Sequence, residues 1–210
     1  MKKFDTIYCD FDGTITKQDS VNVFLEKYTG EKWLESEKLW IDGKISSREN
    51  AIIQVGLLNN ISQKQLDDYI NSIKIDDYFL EFVDFVKLNN IKLTILSDGF
   101  DLFIKKVLER YNLNIPFYAN KLIYKNDKFS IKFPYYNESC DKKAGMCKCN
   151  KVKEKSFCYI GDGTSDLCIA AKADFLFASK KLHEYCVKNN IKHSHFTSFR
   201  NIIDVLKEGD

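Results

Sequence analysis

Four short runs rich in β-formers, at 6–9, 91–96, 157–160 and 175–178, are each bounded by Gly, Asp or Asn, and helical periodicity fills the chain between and after them. The helical patterns lie at 78–88, 101–111, 165–172, 181–189 and 198–207. Strands that alternate with helices predict an α/β fold, a Rossmann-like open parallel sheet with helices on both faces. Two segments break the alternation. Residues 17–75 are too long for a crossover and hold several amphipathic stretches, one opening with the capping-box pattern Ser62-Gln63-Lys64-Gln65. They are expected to form a small helical cap inserted after the first strand, leaving 1–16 and 76–210 as the core. Residues 120–133 place two strand-like runs around Asn126-Asp127, the pattern of an antiparallel hairpin.

With 210 residues the chain can bury one full core and a small inserted unit. Its net charge of +2 supplies no long-range attraction for nucleic acid or an anionic membrane. No run approaches the ~20 apolar residues of a membrane span, and Met1-Lys2-Lys3-Phe4 lacks a signal-peptide core, so a cytoplasmic location is expected. In that reducing compartment most of the seven cysteines are expected as free thiols.

Three of the strand ends carry chemistry. Asp10-Phe11-Asp12-Gly13-Thr14 sets two carboxylates on one side of an extended chain, about 6.5 Å apart at ~3.3 Å per residue. One can attack phosphorus while the other protonates the departing oxygen. Gly161-Asp162-Gly163-Thr164-Ser165-Asp166 offers hard oxygen ligands suited to magnesium. Ser97-Asp98-Gly99 brings a hydroxyl and backbone N–H groups that suit phosphate oxygens. Each motif alone also reads as an ordinary turn or helix cap. Their coincidence at three strand ends favours one site.

In this order the motifs resemble those of the haloacid dehalogenase superfamily, over nearly the whole chain. The resemblance implies a phosphatase with Mg²⁺ as cofactor, Asp10 as nucleophile forming an aspartyl-phosphate, and Asp12 as general acid/base. It implies phosphate binding by Ser97, Asp98 and Gly99, and a metal held by Asp10, Asp12 (through its carbonyl), Asp162 and Asp166. An acid at Asp12 points to phosphoryl transfer rather than dehalogenation. The superfamily also uses a lysine beside the nucleophile. Gly145-Met146-Cys147-Lys148 looks like the segment that carries it in the subgroup of phosphoserine phosphatase and the methionine-salvage enol-phosphate phosphatase. Lys148 is therefore expected in that role, with Lys151 as the alternative.

The inserted segment resembles a C1-type cap, with Asp19 and Arg48 as candidate substrate contacts. Phosphoserine phosphatases carry an Arg where this chain has Gln54, before Val55-Gly56-Leu57-Leu58, and an amide cannot offer a charged fork to a carboxylate. The expected substrate is a small phosphomonoester. An enol phosphate of methionine salvage stands first, and phosphoserine, phosphocholine, phosphoethanolamine and pyridoxal phosphate are alternatives. Phosphoryl transfer to another acceptor and a phospho-ligand-binding module without turnover are the competing functions. A monomer or homodimer is expected, with no nucleic-acid or membrane partner. Cys140, Cys147 and Cys149 read as free thiols, zinc being the other use of such a cluster, and His183, His193 and His195 read as surface residues.

Overall fold

The computed structural model describes residues 4–208; the outermost residues of the expected core, 1–3 and 209–210, lie outside the described residues. One seven-stranded sheet contains β1 (Thr6–Cys9), β2 (Lys92–Phe100), β3 (Phe117–Lys125), β4 (Lys128–Lys132), β5 (Cys158–Gly161), β6 (Phe175–Ala178) and β7 (Ser194–His195). The spatial order is β4-β3-β2-β1-β5-β6-β7, parallel throughout except for the β3–β4 hairpin. From the central β1 the chain builds outward through β2, β3 and β4 on one side and then returns to β5 on the other, and this reversal beside β1 opens a crevice beyond the strands' carboxyl ends. Cys9 lies opposite Ile95 and Ile160, so the residues just past these three positions emerge side by side at that crevice.

Four helices stand between β1 and the crossover to β2: α1 (Ser20–Thr29), α2 (Leu34–Ile41), α3 (Ser47–Gly56) and α4 (Gln63–Ser72). Where the chain leaves and re-enters the sheet layer, Thr16 and Ile75 form an antiparallel bridge. Lys17 N–H donates to Lys74 O at 3.0 Å and Asp76 N–H to Ile15 O at 2.8 Å, closing the neck of the insertion. The Ser62–Gln65 capping box forms as the sequence predicts, and a second one, Ser46 with Glu49, starts α3.

The remaining helices are α5 (Phe79–Leu88), α6 (Asp101–Arg110), α7 (Leu167–Ala170), α8 (Lys180–Lys188) and α9 (Phe199–Glu208). Phe24 of α1 packs edge-on against Phe103 of α6, with ring centroids 5.2 Å apart, and both belong to the same apolar cluster as Ile7, Ile95 and Ile160. Burying a ring of this size stabilises by roughly 1.5–3 kcal/mol. The Arg110 guanidinium reinforces the seam by donating to the carbonyls of Ile70, Asn71 and Ile73 at the C-terminal end of α4. By contrast α2 fully buries only Ser36, and α3 only Asn50, Gln54 and Val55.

Three local expectations change. Strand β2 does not stop at residue 96. It runs through Ser97-Asp98-Gly99 to Phe100, with its register against β3 shifting between Leu96 and Phe100, so Ser97 sits on a bulged strand rather than at a helix start. The helix expected over 165–172 is a 3₁₀ turn, Thr164–Asp166, followed by the single turn of α7. The cause is the Asp166 carboxylate, which accepts from the N–H groups of Asp162 and Gly163 at 3.0 and 2.9 Å and draws the backbone tight. Strand β7, two residues long, is too short to leave a pattern in sequence. The hairpin forms as predicted, and Asn126 and Asp127 both have φ near +50°, as a two-residue turn of the primed type requires. No helix of the described residues is long and apolar enough to cross a membrane.

Candidate active site

The carboxyl end of β1 delivers Asp10 into the crevice while the next residue, Phe11, turns into the core and is fully buried. The Phe11 N–H donates to Asp10 Oδ1 at 2.8 Å. On the same oxygen, at 3.0 Å, sits the ammonium of Lys148, whose side chain is 1% exposed. That ammonium also meets Asp166 Oδ1 at 2.5 Å and Ser165 Oγ at 3.2 Å. Tyr159, from the middle of β5, donates its hydroxyl to the same Asp166 oxygen at 2.5 Å. Lys151 is directed elsewhere, its ammonium 4.2 Å from the ring centre of Tyr135 and 5.0 Å from that of Tyr118.

Asp12 is held by two hydroxyls, Ser20 Oγ on Oδ1 and Ser97 Oγ on Oδ2, the latter at 3.1 Å. Ser97 in turn accepts from the Gly99 N–H at 2.9 Å. A side chain at Gly99 would overlap the Asp12 carboxylate, so this strand can approach the acid only because residue 99 has none. At Gly13, where φ is +75°, an added Cβ would stand 2.5 Å from Asp162 Oδ2. Asp162 accepts from Thr14 Oγ1 at 2.9 Å and pairs with Lys180 at 3.1 Å, and Lys180 also donates to Gly13 O.

Oxygens of Asp10, Asp162 and Asp166 all lie within 4.8 Å of one another, the only such group of three or more metal-ligating side chains among the described residues. Asp12 belongs to the site but not to this group. Burial pushes the Asp10 carboxyl well up, the nearby Asp166 adds to this, and Lys148 opposes it. Burial and then Asp166 likewise raise Asp162, against Lys180. Burial also raises Asp12, opposed by its bonds from Ser20 and Ser97. Desolvation pulls the Lys148 ammonium down, but Asp10 and Asp166 outweigh it and keep it charged. Four carboxylates here face two ammonium groups, so with all of them ionised two negative charges are uncompensated. Hard oxygens with that deficit fit a small divalent cation.

Above these groups lies a cavity of about 340 Å³, lined by Asp10, Asp12, Ser97, Gly99 and Asp162 below and by residues of α1 to α3 above. Asp19 lines it, caps α1 by accepting from the Asn22 N–H at 2.9 Å, and has its carboxyl pushed up to about 7 by burial and then by Asp12. Asp98 is engaged sideways: its carboxylate accepts from Met146 N–H at 2.8 Å and Asn120 Nδ2 at 3.0 Å, which fastens the segment carrying Lys148 to the sheet. Arg48 is not brought to the cavity. Its guanidinium lies 4.7 Å from the ring centre of Tyr136 and 5.4 Å from that of Phe133. Cys140, Cys147 and Cys149 are free thiols. His183 and His193 share a hydrogen bond of 2.8 Å beside His195, apart from the cavity.

Four participants escaped sequence reading. Lys180 begins the helix after β6, and extending the search for polar groups at strand ends from three strands to the fourth would have found it. Thr14 closes the first motif and Ser20 follows it, but neither hydroxyl's partner can be read from sequence. Tyr159 is an interior strand residue that only three dimensions connect to Asp166.

Residues 7–171 match the model of the haloacid dehalogenase-like hydrolase family. A 2-hydroxy-3-keto-5-methylthiopentenyl-1-phosphate phosphatase from Brevibacillus brevis is 29% identical, covering 99% of this chain and 97% of its own. The protein of the same name from Bacillus cereus is 28% identical over 96% of this chain and 95% of its own. Among solved structures, a phospho-aspartyl intermediate analogue of phosphoserine phosphatase superposes with a TM-score of 0.74 at 20% identity, covering 97% of this chain and 99% of that one. A phosphoserine phosphohydrolase-like protein from Francisella tularensis superposes with a TM-score of 0.73 at 19% identity, covering 96% and 99%. With the family model spanning most of the sheet and every acid of the site, the chain belongs to the haloacid dehalogenase-like hydrolase family and is a phosphoric monoester hydrolase.

Proposed function

We propose that the protein is a magnesium-dependent phosphatase of a small phosphomonoester, working through an aspartyl-phosphate on Asp10. The observation that supports this most is the buried Lys148 ammonium, which joins Asp166 to Asp10, and Asp10 and Asp12 both line the cavity. Lys148 and the Phe11 N–H occupy Asp10 Oδ1, which leaves Oδ2 to attack phosphorus. The phosphorus–oxygen bond to the leaving group breaks as the new bond forms, and Asp12 gives its proton to the departing oxygen. The raised Asp12 carboxyl favours the protonated form needed at that moment. Asp12 then takes a proton from the water that attacks phosphorus, phosphate departs, and Asp10 is regenerated. Ser97 and the Gly99 N–H orient phosphate oxygens. Asp10, Asp162, the Asp12 carbonyl and Asp166 would hold the magnesium ion, which when bound neutralises phosphate charge and orients the ester.

Helices α1 to α4, residues 17–75, act in this reading as the cap over the ester, with Asp19 among its contacts. The relatives' names make the methionine-salvage enol phosphate the first compound to test, with phosphoserine, phosphocholine, phosphoethanolamine and pyridoxal phosphate beside it. A cytoplasmic enzyme, monomeric or homodimeric and without a nucleic-acid partner, fits this chemistry. The test is release of phosphate from p-nitrophenyl phosphate with magnesium and with EDTA, in the parent chain and in Asp10→Asn. Turnover that needs the metal and is abolished by the substitution is expected. Turnover unchanged in Asp10→Asn would refute the covalent step, and an inert parent with bound magnesium would favour a binding module.

A further inference from the structure

Over the carboxylates, the cavity is roofed by Glu37 and Trp40 of α2 and by Asn50 and Gln54 of α3. Glu37 Oε2 accepts from Asn50 Nδ2 at 2.8 Å and from Gln54 Nε2 at 3.1 Å. A carboxylate only accepts, so the Asn50 amide must turn its NH₂ toward Glu37, and its carbonyl oxygen is thereby aimed away. That oxygen is buried without a hydrogen-bond partner, on a residue only 5% exposed. No ammonium or guanidinium pairs with Glu37 among the described residues, and these two amides are its hydrogen-bond partners. The cations lining the cavity are Lys180 and Lys181 at the start of α8, the first of them already placed on Asp162 and Gly13.

The roof therefore holds a carboxylate, a buried orphaned acceptor and an indole, and no positive side chain of α2 or α3 lines the cavity. An unpaired buried acceptor costs stability until a donor arrives, and a half-buried carboxylate with no paired cation favours a cationic ligand in the cavity it lines. A group that is both a cation and an N–H donor answers both needs, and Trp40 offers it a π face. We propose that Glu37 and Asn50 form the leaving-group subsite, and that the substrates are phosphomonoesters of amino alcohols bearing a primary ammonium. This rests on the phosphatase reading above. The ammonium takes no part in bond-making: phosphorus passes to Asp10, the alcohol oxygen takes the Asp12 proton, and the amino alcohol leaves still protonated. A carboxylate-bearing leaving group would instead meet Glu37 and Asp19. A neutral one would leave the Asn50 oxygen unpaired.

The test compares kcat/KM for phosphoethanolamine, n-propyl phosphate (the same shape with methyl for ammonium), phosphoglycolate and the methionine-salvage enol phosphate, using the full chain with magnesium. Phosphoethanolamine is expected to exceed n-propyl phosphate about 10- to 100-fold, the range for hydrogen bonds to a charged group. In Glu37→Gln that ratio is expected to fall to near one. Because both esters are measured on one sample, the ratio is unaffected by any misfolded fraction. Equal rates on the two esters, a ratio that survives Glu37→Gln, or a preference for the enol phosphate would overturn the assignment. If p-nitrophenyl phosphate is hydrolysed in those cases, the phosphatase reading stands and only the subsite falls. A parent chain inert toward the whole panel would remove both.

Discussion

Replacing Lys148 by Met keeps most of the length of the side chain and removes its charge at a point where water cannot substitute for it. The ammonium stands 3.0 Å from Asp10 and 2.5 Å from Asp166, and its side chain is 1% exposed. Breaking a buried ion pair by deleting one partner costs about 3–5 kcal/mol, because the other charge stays buried. Here the cost has a ceiling that depends on pH. Burial already holds the Asp10 carboxyl above its ordinary range, and losing Lys148 raises it further. An acid whose folded pKa is raised binds its proton more tightly folded than unfolded, so stability is recovered as pH falls through that folded pKa toward the unfolded value. One pH unit is worth at most ~1.4 kcal/mol per group, so moving from about pH 7.5 to about pH 5.5 recovers up to ~2.7 kcal/mol. The difference in unfolding free energy between parent and Lys148→Met, about 3–5 kcal/mol at the higher pH, is thus expected to shrink by up to ~2.7 kcal/mol at the lower one. Urea unfolding in EDTA, followed by far-UV circular dichroism, measures it at both pH values. Phosphatase turnover with magnesium should drop at least ~100-fold in the same variant. A loss below ~1 kcal/mol at the higher pH, or a loss equal at both, would refute the buried pairing of Lys148 with Asp10 and Asp166.

Gly99→Ala puts a methyl group into the Asp12 carboxylate, so the acid must shift off Ser97. We expect a loss of about 1–3 kcal/mol in stability and a fall in kcat of ~10-fold or more, and parental kcat in a thermal-shift-matched sample would refute it. Asp19, with its carboxyl raised to about 7 by burial and then Asp12, should make the metal-free protein less stable as pH rises from ~4 to about 7. The effect is at most about 4 kcal/mol and is lowered by solvent screening because Asp19 is only half-buried. In Asp19→Asn that part of the pH dependence should vanish, and parallel stability–pH curves for parent and variant would contradict the shift.

The sheet was legible in sequence because its strands are short β-rich runs cut by Gly, Asp and Asn, a signal that survives any tertiary context. The site's floor was legible for a related reason: Asp10, Asp12, Ser97 and Asp162 each come after a run that had to be a strand. What sequence did not convey depends on direction rather than residue type. Arg48 begins a helix near the right place, yet its guanidinium turns to Phe133 and Tyr136, which are distant in sequence. Asp98 belongs to a motif of phosphate-binding type, and its carboxylate is spent on Met146 and Asn120. The strand–helix boundary at Ser97 was misjudged because a bulge has no periodicity to read. The Glu37 cluster was invisible because Glu37, Asn50 and Gln54 lie on two helices that sequence cannot set face to face.

The insertion over the sheet is made of two unequal halves. Helices α1 and α4 share the apolar cluster that holds Ile7 and Ile95 through Phe24, Tyr69 and Phe103, and Arg110 ties α4 down. Helices α2 and α3 contribute little to that interior and yet supply the cavity's roof. Mutations that alter the roof thus meet little resistance from folding, while mutations beneath it meet a great deal. Within such a lineage, leaving-group preference can diverge while foldability and the reaction at phosphorus are inherited unchanged.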